Sequence, residues 1–63
     1  MDERQIIESA YADTVHILYS VLLESYTAAN GDTKAEAKAE EAFQKGILRA
    51  RHVRDRALVL LPK

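Results

Sequence analysis

The 63-residue sequence predicts an all-α fold, a two-helix antiparallel hairpin, on three observations. Only two glycines and one proline interrupt the chain, and apolar residues recur at helical spacing on both sides of a single midpoint. That midpoint, "AANGDTKAE", carries turn chemistry. The helices are expected at about 2–30 and 33–61, in one domain covering 1–63. At a rise of ~1.5 Å per residue each arm is ~43 Å long.

In the first arm, Ile6, Ile7, Ala10, Tyr11, Thr14, Val15, Ile17, Leu18, Val21, Leu22, Ala28 and Ala29 fill one arc about 180° wide. Asp2, Ser9, Asp13, His16, Ser20, Glu24 and Thr27 occupy the other side. Asn30-Gly31 supplies residues that tolerate a left-handed helix end. Thr33 and Glu36 then fit a capping box for the next helix. In the second arm Ala35, Ala39, Ala42, Gly46, Ala50, Val53, Ala57 and Leu60 form a heptad-like seam of mostly small residues. Phe43, Ile47, Leu58 and Leu61 flank it, and Pro62 ends it. Folding about Gly31 pairs residue i with about 63 − i, so Gly46 is expected opposite Ile17.

One hairpin can cover only part of the wide apolar arc of the first arm. There is no Cys to form a disulfide or thiolate metal site, and two histidines are too few for a structural zinc site. Association with a second copy is therefore expected, two hairpins dimerising into a four-helix bundle. In length and layout the chain resembles the Rop family of plasmid copy-number proteins, which pair two helical hairpins and bind RNA. No stretch of sequence matches that family, so no residue role is carried over.

Charge is divided unevenly. Residues 1–31 carry a net −4 and residues 32–63 a net +3, within a total of −1. The excess of cations lies on "KGILRARHVRDR", and Lys38, Lys45, Arg49, His52 and Arg56 form a narrow stripe along the second helix. Such a line of cations can follow a phosphate backbone. It is also what a solvated helix face looks like, with cations towards the C-terminal end of the dipole. No aromatic residue interleaves with the stripe for base stacking. Arg51 and Asp55, at i,i+4, are expected to pair. Tyr19, Leu23 and Tyr26 lie at or beyond the border of the first apolar arc and suit an interaction surface.

Catalytic patterns are absent at the level of sequence. Asp13, His16 and Ser20 have the residue types of a triad, but neighbours along one helix do not converge on a point. Asp13-x-x-His16 and His52-x-x-Asp55 have metal-binding spacing without enough ligands. No enzyme activity, metal or cofactor is expected. "MDERQ" is acidic where a signal peptide is basic. The longest apolar run is the five residues "ALVLL", so neither a membrane span nor any membrane partner is expected. The expected function is that of a small cytoplasmic interaction or regulatory module acting as a homodimer, with another protein as partner. The alternative is an RNA- or DNA-binding bundle that uses the basic stripe.

Overall fold

The computed structural model describes residues 2–63, and among these it is all-helical. Helix α1 spans Glu3–Ala29 and helix α2 spans Thr33–Leu60, packed side by side. The hairpin measures 50 × 18 × 7 Å between Cα extremes, a single layer of two helices.

Local chemistry sets both helix starts and the turn. Asp2 caps α1 by accepting a 2.9 Å hydrogen bond from the Gln5 amide, and the Gln5 side chain accepts from the Asp2 amide at 3.1 Å. This reciprocal pair satisfies two orphan donors. Asn30 closes α1 in the left-handed region (φ 49°, ψ 44°), and Gly31 follows at φ 88°, a conformation that costs a glycine little. The cap of α2 is Asp32, one residue before the Thr33 expected from the capping-box pattern. Its carboxylate accepts from the Lys34 and Ala35 amides at 3.0 and 3.4 Å. A carboxylate also complements the helix dipole there, which a threonine hydroxyl does not.

The seam follows coiled-coil-like spacing. From α1 it takes Ile7, Tyr11, Val15, Leu18, Leu22 and Tyr26, all half-buried; from α2 it takes Ala35, Ala39, Phe43, Gly46, Ala50 and Arg54. Helix α2 is thus rotated by roughly 45° from the expected seam, counting 100° per residue. Val53 and Leu60, expected inside, are 59% and 68% exposed, and Ala42 is exposed too. Phe43, Arg54 and Leu61, which are half-buried, take their place. A helix with one neighbour gains most by turning its larger side chains towards it, and Phe43 has far more surface to bury than Ala42.

The register also differs from 63 − i. Leu18, not Ile17, lies over Gly46, Tyr11 lies under Arg54, and Tyr26 meets Glu40, so i pairs with about 65 − i. The reason is phase. Ile17 is 63% exposed because it points out of the seam, whereas Leu18 points into it. A Cβ at Gly46 would stand 2.7 Å from Leu18 Cδ2, so the absent side chain is what lets the helices approach here.

No described residue is fully buried. Helix α1 is also long and apolar enough, by length and composition alone, to cross a membrane. The five-residue limit on uninterrupted apolar runs does not exclude this, because scattered Ser, Thr and Tyr leave a long window apolar overall.

Replacing Gly46 by Leu tests the close approach. Overpacking of this kind costs about 1–3 kcal/mol, more than the ~1 kcal/mol of helix propensity gained. Thermal unfolding followed by circular dichroism should show a lower midpoint; an unchanged or higher one contradicts this seam.

Candidate functional site

The two faces of the hairpin differ. On one, between α1 and α2, runs an open groove of about 520 Å³ whose walls are almost wholly apolar. Ala10, Thr14 and Leu18 form the α1 wall, and Gly46, Ala50 and Val53 the α2 wall. The small residues of α2 that admit the close approach also leave this hollow. Helical phase places the exposed Ile17 and Val21 on the same side of α1, and Ala42 and Leu60 on the same side of α2. The other face is crossed by polar groups, among them Glu8, Glu40, Gln44 and Arg51.

Two polar contacts bridge the helices, neither foreseen from sequence. The Arg54 guanidinium lies 4.4 Å above the centroid of the Tyr11 ring, a cation–π contact. Asp55, not expected in this role, accepts from Arg54 Nε and Nη2 at 3.1 Å each. That hydrogen bond holds the Arg54 pKa above its ordinary value, against partial burial, which lowers it. The expected Arg51–Asp55 pair is therefore replaced by its neighbour. Arg54 reads as another surface cation in sequence; the signal that could have found it is its spacing of four from Ala50 and eleven from Phe43.

The second bridge is the Tyr26 hydroxyl, which donates to the Glu40 carboxylate. Tyr26 is consequently half-buried and engaged within the hairpin, whereas Tyr19 and Leu23 remain exposed at 57% and 55%. The three do not form one free surface.

Lys38, Lys45, Arg49, His52 and Arg56 all lie exposed along α2. Lys45 pairs with Glu41 at 2.9 Å, and that hydrogen bond followed by the lysine charge holds the Glu41 carboxyl below its usual range. Arg49 also lines the groove, so the stripe borders the apolar face directly. Helix-dipole matching does not account for the stripe. The dipole acts within the last turn, and the last turn of α2 carries no basic residue.

The catalytic and metal patterns do not assemble. Ser20 Oγ donates to the His16 carbonyl at 3.1 Å, so its hydroxyl serves the helix backbone rather than the imidazole. Among the described residues no three His, Asp or Glu side chains gather as a metal site. The arrangement offers contact surfaces, one apolar and one cationic. In comparisons with protein families, curated proteins and solved structures, nothing matches this chain.

The Tyr26–Glu40 bridge carries a pH signature. The hydrogen bond to Glu40, then desolvation, then the charges of Glu40 and Glu36 push the Tyr26 phenol up from 10.0 to about 12. A raised folded-state pKa means that its contribution to stability is complete below pH 10 and is lost as pH rises through about 12. Spectrophotometric titration of tyrosinate should show a component near pH 12 that Tyr26→Phe removes. The same curve in both proteins would mean that the bridge does not form.

Proposed function

We infer that this chain is a non-enzymatic interaction module that works as a homodimer, two hairpins closing their grooves on each other as a four-helix bundle. The observation that carries the reading is the missing core. The chain exposes 5202 Å², whereas a folded monomer of 7.1 kDa is expected to expose about 4,100 Å². The excess of about 1,100 Å² per chain exceeds the ~800 Å² per partner of a standard protein–protein interface. Stacking the apolar faces removes that excess and gives Ile17, Val21, Val53 and Leu60 an interior to occupy.

Once the grooves are closed, Tyr19 and Leu23 stay at the surface on the far flank of α1. They are the place for a further protein to dock. The exposure of the basic stripe favours a second reading, in which the bundle binds RNA or DNA through Lys38, Lys45, Arg49, His52 and Arg56. These readings separate by salt dependence, since phosphate binding weakens steeply as salt rises.

Size-exclusion chromatography with light scattering tests the dimer. The expected mass is twice 7.1 kDa, with a protein-like ratio of absorbance at 260 and 280 nm. Val53→Asp, which sets a carboxylate in the groove, should weaken association by at least about tenfold, since burying an unpaired charge is costly. A helical monomer at micromolar concentration overturns the reading. A peak rich in 260 nm absorbance that clears in high salt supports the nucleic-acid reading instead, and recovery with phospholipid vesicles would place α1 in a membrane.

A further inference from the structure

Two hairpins can stack groove to groove about either of two twofold axes, and the charges bordering the groove discriminate between them. One axis runs parallel to the helices. It places both turns at one end and packs α1 of each copy against α2 of the other. The second axis runs across the helices. It places the turns at opposite ends, with α1 against α1 and α2 against α2.

Heights along the bundle follow from the register of the hairpin itself. Leu18 over Gly46, Tyr11 under Arg54 and Tyr26 beside Glu40 set residue i of α1 level with about 65 − i of α2. An axis parallel to the helices preserves heights, so the same rule holds between copies. Asp13 is then level with position 52 of the other copy, three residues from Arg49 and four from Arg56. Glu24 is level with position 41, three residues from Lys38 and four from Lys45. These offsets are about 5–6 Å along the axis, within reach of long side chains.

The groups also lie on the correct side. Counting 100° per residue, Asp13 and Glu24 occupy the outer flank of the groove face of α1, beside Ile17. Arg49 lines the groove, and Lys38, Lys45 and Arg56 follow it outwards around α2. All six are exposed in the hairpin. Each acid of α1 would thus sit between two cations across the seam, twice over by symmetry. The crosswise axis, placed at mid-length for greatest overlap, does the opposite. It brings Arg49 close to its own copy and Glu24 close to Asp13. Like charges at a shared border oppose association, and complementary ones fix orientation.

We propose that the partner for the apolar groove is a second copy with its turn at the same end, and that the basic stripe is the electrostatic rim of that interface, holding Asp13 and Glu24 of the other chain. This rests on the dimer reading above and assigns the stripe a role that helix electrostatics leaves unexplained. Lys45 keeps Glu41 as its neighbour in either arrangement, being one turn away on the same helix.

The chain has no cysteine, so Lys34→Cys at the turn end of α2 gives one labelling site per copy. Spin-label distances in the dimer should fall at about 30 Å or less, set by two helix diameters. The crosswise axis would separate the two labels by the rise over about 25 residues of α2, so a distance of about 40 Å overturns the orientation while leaving the dimer standing. A monomer mass by light scattering on the same sample overturns both. As a second readout, Asp13→Lys with Glu24→Lys should raise the dimer dissociation constant by about tenfold or more at low salt. Adding Lys38→Glu and Arg49→Glu to the same chain should restore most of the loss. An unchanged constant for the first pair of substitutions overturns the rim, because in the crosswise arrangement they only exchange one set of like charges for another.

Discussion

The contact of Leu18 over Gly46 governs the rest of the molecule. Because Gly46 has no side chain, α1 and α2 approach closely at mid-length, and the alanines on either side of it continue that approach along α2. The same lack of bulk sets the phase of α2, which turns Phe43, Ile47 and Leu58 towards the seam to recover buried surface. It also hollows the adjoining face, since Gly46 and Ala50 cannot fill the space beside Leu18. One residue choice therefore produces both the seam and the groove.

A layer of two helices has no interior. Each helix touches one neighbour, so the wide apolar arc of α1 is covered along its seam edge and left open elsewhere. The polar bridges work within this constraint. Arg54 lies across Tyr11 with its aliphatic stem along the seam and its charge satisfied by Asp55. Tyr26 closes the turn end by reaching Glu40. Both bridges pin the register. What would add burial is a second layer, such as the second copy proposed above.

Substantial parts of this were legible in the sequence. The two helices, their bounds to within one residue and the turn at Asn30-Gly31 follow from local chemistry, because periodicity and left-handed tolerance depend on a few neighbouring residues. The basic stripe and its exposure were equally legible, for the same reason. The cap was misplaced by one residue, since Asp32 and Thr33 are both competent caps and the difference lies in how the turn delivers each side chain. Arg54 was missed because nothing in a run of five cations marks which one lies over the ring of Tyr11, far away along the chain.

The sequence by itself determined that the chain forms two long helices and which residues on each are apolar. Those properties arise within a turn or two, where steric and hydrogen-bonding preferences act on adjacent residues. Only the tertiary structure decided that Leu18 rather than Ile17 meets Gly46, that Val53 and Leu60 face outwards, and that Arg49 borders an apolar groove. These depend on the rotation of one helix against the other. That rotation is chosen by the balance of packing over the entire seam, and no local pattern encodes it.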